Sequence, residues 1–143
     1  MQVAEAMTRD VRVANPDESI IEAAKMMADC DCGVLPVGEN DRLVGMITDR
    51  DIAVRAVADG RDPVNTPVEQ VMTRDVVYCF ADQDVQEVAD AMAASQVRRM
   101  PILNRQHELV GIVSLGDLAV DLADDEMTGE VLEEVSQPSR PRR

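Results

Sequence analysis

The chain has 143 residues, a length that suits one ordinary domain or two small units with a shared core, and a net charge of −14. This charge argues against nucleic acid or anionic lipid as the main partner, because the field of the protein repels polyanions. One tyrosine, one phenylalanine and no tryptophan leave no platform for stacking bases, and the apolar stretches are far shorter than the ~20 residues of a membrane span.

The first predicted element is a short helical lead-in that ends at Met7 and Thr8, and a brief strand follows at residues 11–13. Ser19 and Glu22 then have the spacing of a capping box, which predicts the start of a helix. The apolar residues of this helix recur at helical spacing and are Ile20, Ala23, Ala24 and Met27.

Two strands are predicted next, at residues 34–37 and 43–47, with the turn GENDR between them. A closing helix is predicted over residues 49–59, with Gly60 as its stop signal. Residues 61–67 contain two prolines and several turn-forming residues, so we predict a linker there.

The chain then repeats itself. VAEAMTRDVR at residues 3–12 returns as VEQVMTRDVV at residues 68–77, an offset of 65 positions. LVGMITDRD at residues 43–51 returns as LVGIVSLGD at residues 109–117, an offset of 66. One extra residue in a polar turn before the second motif explains the change of offset, because surface turns accept insertions most easily.

The second copy has the same predicted elements as the first. They are a strand at residues 76–78, a helix with Val85, Val88, Ala89 and Met92 on one face, strands at 101–103 and 109–113, and a helix at 115–123. The fold class is therefore α+β, with two tandem βαββα repeats at residues 1–60 and 68–123. Residues 124–143 form an acidic and then basic tail that we predict to be disordered, with room for a short helix around 130–135.

Thr48 and Asp51, repeated as Ser114 and Asp117, lie where a strand gives way to a helix. One interpretation is a capping box, although that pattern prefers Glu or Gln as the acid. The other is a nucleotide site, in which the helix start and the hydroxyl hold a phosphate and the acid binds ribose hydroxyls. Both copies also keep an upstream proline and a glycine three residues before the hydroxyl, which a cap does not require. The repetition therefore favours the nucleotide site.

GMITDRD and GIVSLGD match the signature of CBS (cystathionine beta-synthase) domains, and VLPV and RRMPIL resemble the second strand of that family. The resemblance covers residues 3–123, and the chain resembles a free-standing CBS pair, or Bateman module. In length and in the segment DRDIAVRAVADGRDP it is similar to bacterial hypoxia-response CBS-pair proteins. The resemblance implies a pseudo-twofold arrangement with two clefts for adenosine compounds such as AMP, ADP, ATP or S-adenosylmethionine.

Motif positions in the resembling family imply two sets of ligand-binding residues. The first site is expected to contain Val34, Leu35, Pro36, Thr48, Arg50 and Asp51. The second is expected to contain Cys79, Arg98, Arg99, Met100, Pro101, Ser114, Gly116 and Asp117. Residues near Ala14 and Cys79 complete the walls.

The two sites are expected to bind differently, because Arg50 offers a mobile cation where Gly116 offers only main chain. Arg98 and Arg99 would have to supply the charge in the second site. The alternative is that these two arginines are only solvated charge at a strand edge, since strand alternation points them to opposite faces.

The cysteines Cys30, Cys32 and Cys79 are odd in number and do not form a pairing framework. The N-terminal segment has no cationic start followed by an apolar run, so we expect a protein of the reducing cytoplasm. A zinc site that also uses His107 is disfavoured, because Cys-x-Cys is tighter than the usual ligand spacing. We expect no metal site and no required cofactor.

The expected function is regulatory binding of an adenosine nucleotide, with the signal passed to an unknown effector protein. No nucleophile elbow, P-loop or HExxH motif is present, so we expect no enzyme activity. Apolar residues cover most of each closing helix, which predicts a partner surface and, with the resemblance, a homodimer. The alternative is a ligand-free structural or stress-response dimer whose repeated turns only cap helices.

Overall fold

The computed structural model describes residues 1–121. Its helices are α1 (Ile20–Cys30), α2 (Asp49–Asp51), α3 (Val85–Ser95) and α4 (Leu115–Asp121), and its strands are β1 (Val34–Glu39), β2 (Arg42–Thr48), β3 (Cys79–Phe80), β4 (Arg99–Leu103) and β5 (Leu109–Ser114). A π-helix, Ile52–Val57, continues α2, and two 3₁₀ turns, Val3–Glu5 and Val68–Gln70, lie in the lead-in segments. Within residues 1–121, every helix is too short or too polar to reach across a bilayer. The predicted tail, residues 124–143, lies outside the described residues.

The chain divides into two compact units, and each combines segments of both sequence repeats. We call the first the Thr48 unit; it consists of Arg12–Val76 and His107–Leu109. It therefore includes the lead-in of the second repeat, which contains Val68–Gln70. The second, the Ser114 unit, consists of Met1–Val11, Val77–Gln106 and the described part of Val110–Arg143. It therefore includes the lead-in of the first repeat, which contains Val3–Glu5. The repeat boundaries proposed at residues 60 and 68 concern the sequence and stay predictions.

Each unit has its own core of aliphatic and methionine side chains. The largest fully buried side chains of the Thr48 unit are Ile20, Leu35, Val37, Ile47, Val68 and Val71. Those of the Ser114 unit are Val3, Val88, Met92, Met100, Ile102 and Leu118. Because Val68 and Val3 come from the lead-ins, each lead-in is part of the core of its unit.

Helix α1 begins and ends with short-range polar contacts. The Glu22 N–H donates to the Ser19 hydroxyl at 3.3 Å, which caps the helix as predicted. The Glu22 carboxylate instead faces Lys25 Nζ at 3.6 Å, so only half of the predicted capping box forms. Asp31, with a left-handed φ of 52°, ends the helix and turns the chain towards β1.

Strands β1 and β2 form an antiparallel hairpin. Asn40 and Asp41 both have positive φ angles, of 54° and 65°, which suits the two-residue turns that join twisted strands. The pairing register places Val34 opposite Thr48 at the open end of the hairpin. The hairpin thus brings the start of β1 to the position where α2 begins.

The Ser114 unit is built around a three-stranded sheet in the order β3-β4-β5. Strand β3 runs parallel to β4, with Cys79 opposite Ile102. Helix α3 begins with a complete capping box, in which Asp84 accepts from the Gln86 N–H at 3.0 Å and Glu87 accepts from the Asp84 N–H at 3.3 Å. This reciprocal cap fixes the entry of α3 directly after β3.

The predicted first strand of each repeat is misplaced. Ala14 makes a single parallel bridge to β1 in place of the strand predicted at residues 11–13, and β3 begins at Cys79 instead of residue 76. Burial explains the shift, because Ala14 and Cys79 are 0% and 4% exposed whereas Val77 is 47% exposed. The βαββα order is therefore complete in the second repeat, and in the first its opening strand is reduced to one bridge.

The first closing helix differs from the regular helix predicted for residues 49–59. The Ala58 N–H donates to the Ala53 carbonyl and the Arg61 N–H to the Ala56 carbonyl, both at 3.0 Å, which is the i to i−5 spacing of a π-helix. Gly60, with φ of 73°, ends the segment as predicted. The predicted closing helix is therefore confirmed at residues 49–57, with π-helical hydrogen bonds beyond Asp51.

Cys30 and Cys32 are joined by a disulfide that the cysteine count did not predict, and Cys79 is a free thiol. The left-handed residue Asp31 between them folds the chain back and brings the two Cα atoms to 5.3 Å. Gln96 has the same left-handed conformation at the end of α3, where the chain has no cysteines.

Candidate functional site

Thr48 and Asp51 cap the start of α2 reciprocally. The Asp51 N–H donates to the Thr48 hydroxyl at 2.9 Å, and the Thr48 N–H donates to Asp51 Oδ2 at 3.0 Å. Asp51 is only 6% exposed, so the carboxylate that accepts from the Thr48 N–H is buried within the unit. The capping-box interpretation is confirmed for this segment, residues 48–51, which we call the Thr48 turn.

The second copy of the motif has the same hydrogen bonds. The Asp117 N–H donates to the Ser114 hydroxyl at 3.1 Å, and the Ser114 N–H donates to Asp117 Oδ2 at 3.0 Å. We call residues 114–117 the Ser114 turn. In both turns the hydroxyl still has its own proton to donate, and the carboxylate keeps a second oxygen as an acceptor. The cap therefore leaves the hydroxyl proton of each turn as a donor. The second carboxylate oxygen of Asp117 remains as an acceptor, whereas that of Asp51 faces Arg55 Nε at 3.8 Å.

Arg55 distinguishes the Thr48 turn from its counterpart. Its Nε lies 3.8 Å from Asp51 Oδ1, and its Nη1 donates to the carbonyls of Val71 and Met72 at 3.3 and 3.2 Å. The residue at the matching position of the second repeat is Asp121. Within residues 1–121, the Thr48 turn thus has an arginine that links its acid to a lead-in segment, and the aligned position of the Ser114 turn has none.

The structure brings the predicted members of each site close together within one unit. In the Thr48 unit, Val34 pairs with Thr48, and the Ala14 N–H donates to the Pro36 carbonyl at 2.9 Å. In the Ser114 unit, the N–H of Leu115, which follows Ser114, donates to the Arg98 carbonyl at 3.1 Å. These contacts bring the start of each predicted strand wall next to its turn, within one unit in each case.

The predicted wall residues differ in burial. The buried ones are Leu35, Pro36, Cys79, Met100 and Pro101, and the exposed ones are Arg50, Arg98, Arg99 and Gly116. Because Leu35 and Met100 are 1% and 0% exposed, both residues are buried in the cores, main chain included, and neither is open to a ligand in this structure. The exposed arginines and the two turns are therefore the groups that can recognise polar parts of a ligand.

The glycine of each motif has a packing role. A Cβ atom on Gly111 would lie 2.8 Å from the Thr8 carbonyl, and one on Gly45 would lie 2.8 Å from the Thr73 carbonyl. The lead-ins thus approach the strands where only glycine leaves room. Retention of glycine in both copies is therefore explained without a ligand, and the sequence argument that used it for a nucleotide site was wrong on this point.

Cys79 lies in the core and is not poised for chemistry. Burial, and secondarily the charge of Glu87, raise the pKa of its thiol. A raised pKa keeps the thiol protonated at neutral pH, and the neutral thiol is a poor nucleophile. The structure therefore gives Cys79 a packing role in the core of the Ser114 unit.

An open cavity of about 560 Å³ has none of the predicted site residues in its lining. Its lining consists of Phe80, Asp82, Gln83, Glu87 and Arg105. Arg105 stacks on the Phe80 ring at 4.1 Å and pairs with both carboxylate oxygens of Asp82, at 2.8 and 2.9 Å. This bond from Arg105 is the main cause that lowers the pKa of Asp82. No sequence motif predicted this cavity, because Arg105 joins the lining from a segment distant from residues 80–87.

Among residues 1–121, no three or more histidine, cysteine or acidic side chains come together in a way that could hold a metal ion. Cys30 and Cys32 are bonded to each other and not arranged as two thiolate ligands.

Comparison with protein families and curated proteins identifies clear relatives. The CBS domain family model matches residues 3–57 and 68–124. The CBS domain-containing protein YhcV of Bacillus subtilis is 42% identical over 134 residues, which cover 94% of this chain and 94% of that protein. The relatedness therefore extends over nearly the whole of both proteins.

Solved structures agree with this relationship. The crystal structure of Hypoxic Response Protein I with two coordinated zinc ions is 37% identical, covers 85% of this chain and 99% of that chain, and has a TM-score of 0.76. The crystal structure of CBSX2 in complex with AMP covers 87% of this chain and 98% of that chain, with a TM-score of 0.74. Its identity of 20% shows the shared fold alone. The α+β pair of tandem repeats and the similarity to hypoxia-response proteins are confirmed.

Proposed function

Because the chain belongs to the CBS domain family and carries two CBS domains in tandem, we propose that it is a regulatory module that binds an adenosine nucleotide and acts through a partner protein. The observation that carries the proposal is the duplicated turn, in which a hydroxyl and an acid meet with the same hydrogen bonds in both units. The AMP complex of CBSX2 supports it by showing that a protein of this fold holds an adenosine ligand. The proposed location is the cytoplasm, and no catalytic role is proposed.

Each turn has a defined part in the proposed binding. The hydroxyl of Thr48 or Ser114 donates its proton to a phosphate oxygen while it continues to accept from the main chain. The second carboxylate oxygen of Asp51 or Asp117 accepts from a ribose hydroxyl. Val34 in the Thr48 unit and Arg99 in the Ser114 unit form the wall beside the adenine, because they are the predicted wall residues next to the prolines that are not buried.

A thermal-shift panel with AMP, ADP, ATP, NADH and S-adenosylmethionine tests this proposal. A ligand that binds only the native protein stabilises it by about 2.7 kcal/mol at a hundredfold excess over Kd, which raises Tm by several degrees. We expect such a rise with at least one adenosine compound. In Asp51→Asn/Asp117→Asn, which keeps an acceptor for each cap, we expect the rise to disappear. An equal rise in this double variant would contradict the ribose assignment.

We also propose that the protein is a homodimer joined through its closing helices. On the π-helix Ile52–Val57, Val54 and Val57 are 52% and 68% exposed, a large apolar exposure for two neighbouring side chains. Val57→Asp is expected to convert a dimer to monomers in sedimentation velocity, whereas Val64→Asp, at a 61% exposed linker position, leaves the dimer intact. A wild-type monomer that does not change with concentration would contradict the proposal.

A second candidate function is a ligand-free structural or stress-response dimer. It is favoured by one observation: the two capping boxes fully account for the hydroxyl and the acid without any ligand. Its signature would be the absence of a thermal shift with every adenosine compound, combined with a loss of stability in Thr48→Ala and Ser114→Ala. Each of these cap losses should cost about 1 kcal/mol.

A further inference from the structure

The disulfide between Cys30 and Cys32 closes the turn that follows α1. Both cysteines are partly exposed, and Asp31 between them is exposed. A reductant in solution therefore has access to this disulfide, which we call the Cys30–Cys32 bridge. The third cysteine, Cys79, is a free thiol and is buried, so it is closed to the same reductant.

The matching turn of the second repeat forms without a bridge. Asp31 and Gln96, which follow α1 and α3, have nearly equal left-handed φ angles of 52° and 53°. In each turn the N–H of the next residue donates to the carbonyl of a helix methionine, at 3.0 Å in the first and 3.1 Å in the second. The second turn has Ser95 and Val97 where the first has its cysteines. The main chain therefore makes this turn by itself.

The same turn keeps the two cysteines close when they are reduced. Its main-chain bonds do not involve sulfur, so the Cα atoms stay near their present separation of 5.3 Å. This separation lies inside the range of about 4.4–6.8 Å in which a disulfide can form. Cys30 Sγ also lies 3.8 Å from the Met27 carbonyl, which can accept the thiol proton that reduction creates. Both redox states are therefore compatible with one main-chain structure.

The bridge contributes little as a structural crosslink. A disulfide stabilises a protein mainly by closing a loop in the unfolded chain, and the shortest loops give the smallest effect. Here a single residue separates the two cysteines. Exposed disulfides are also the ones that are reduced most readily. These properties favour a reversible redox site over a permanent crosslink.

One residue connects the bridge to the Thr48 turn. Gly33 directly follows Cys32, and its carbonyl accepts from the Asp49 N–H at 2.9 Å. The Asp49 carboxylate also lies against Gly33, since a Cβ built on that glycine would come within 2.9 Å of Asp49 Oδ2. A change in the mobility of Cys32 therefore reaches the first residue of α2 through a single shared neighbour.

We infer that Cys30 and Cys32 form a reversible redox site whose state is sensed at the Thr48 turn. A dithiol reductant supplies the two electrons. One of its sulfurs attacks a bridge sulfur, the Sγ–Sγ bond breaks, and a mixed disulfide forms. Its second sulfur then displaces the bound cysteine, so the reductant leaves as a cyclic disulfide and its two thiol protons pass to the two cysteines. Glutathione disulfide reverses the exchange and is itself reduced to two thiols.

The chemical test uses the full chain in native buffer. The protein is treated with dithiothreitol and then with glutathione disulfide, and at each stage native alkylation with peptide mass mapping identifies the free thiols. We expect Cys30 and Cys32 to be labelled only after reduction and to be protected again after reoxidation. Cys79 should be labelled only in unfolded protein, so it is the internal control for an intact fold. Reduction should lower Tm by less than about 10 °C.

Amide NMR of the oxidised and reduced protein tests whether the Thr48 turn senses the redox state. We expect reduction to shift the amides of residues 28–34 and of Asp49. The matching amides of the second repeat, residues 93–99 and Leu115, should not change. Cys30→Ser/Cys32→Val, which copies the residues of the second turn, should have the Asp49 shift of the reduced protein and should not respond to dithiothreitol.

Three results would overturn the inference. Labelling of both cysteines after treatment with glutathione disulfide would mean that no bridge forms. Reduction that requires urea, or that unfolds the protein, would make the bridge a structural crosslink. Shifts confined to residues 28–34 would mean that the Thr48 turn does not sense the redox state. Reduced and oxidised wild type decide the matter even if the double variant does not fold, and none of these results depends on adenosine binding.

Discussion

Replacing Gly111 with alanine is expected to lower the free energy of unfolding by about 1–3 kcal/mol, the usual cost of forcing an extra methyl group into a packed site. The added Cβ would meet Met7 Sδ at 2.6 Å and the Thr8 carbonyl at 2.8 Å. The Met7 sulfur can move, but the Thr8 carbonyl is held in place. It accepts from the Ile112 N–H at 3.0 Å, and the Thr8 N–H donates to the Ile112 carbonyl at 2.8 Å. The main chain must therefore shift.

Gly116→Ala is the matched control. A Cβ there would meet only Ser114 Oγ, at 3.6 Å, and Gly116 lies inside α4. Alanine in a helix interior is more stable than glycine by roughly 0.5–1 kcal/mol, so this variant should gain stability. Urea denaturation of both variants checks the pair. Equal stability of Gly111→Ala and the wild type would show that the lead-in does not pack on β5 as described.

Replacing Asp51 with alanine is expected to lower the free energy of unfolding by about 2–3 kcal/mol. The change removes the acceptor of the Thr48 N–H and the carboxylate that faces Arg55. Both losses occur at a residue that is 6% exposed, where water cannot easily replace the missing partner. Asp51→Asn should lose less, because its amide oxygen can still accept from Thr48.

Asp49→Ala serves as the control for this variant, because it removes an exposed acid two residues away in the same turn. We expect it to cost less than about 1 kcal/mol, the usual size of a charge effect at a helix start. Chemical denaturation followed by circular dichroism measures all three variants. If Asp51→Ala is no less stable than Asp49→Ala, the buried capping box cannot be the main contribution of Asp51 to the fold.

The repeat made most of the fold predictable. Matching segments 65 and 66 positions apart predicted the same elements twice, and apolar runs separated by turn residues predicted both hairpins to within a few residues. The capping boxes were also predictable, because hydroxyl and acid at i and i+3 act over one local turn. The candidate sites could be drawn from the sequence because their residues lie within short stretches.

The remaining features depend on contacts between distant segments. Gly45 and Gly111 are retained because a lead-in packs against each of them, which no local pattern reveals. The strand at Cys79 is set by burial against β4, not by the β-branched residues before it. Likewise, the contact of Asp49 with Gly33 joins residues sixteen positions apart and emerges only when the hairpin closes.

In each turn the acidic side chain has two roles, helix capping and, under the proposed function, ligand binding. Each acid satisfies its own helix start through one oxygen, and under the proposed function the other oxygen serves a ribose hydroxyl. A variant that lacks the acid loses both roles, so stability and binding must be measured separately. Asparagine at these positions keeps the cap and tests the binding alone.

Amide NMR during a titration with AMP tests the central claim most directly, because it reports binding residue by residue in the intact protein. We predict saturable shifts at residues 48–51, at residues 114–117, or at both, with the amides of Phe80, Gln83 and Arg105 around the open cavity unchanged. Shifts confined to that cavity, or no shifts up to millimolar AMP, would contradict the claim that the duplicated turns bind adenosine nucleotides.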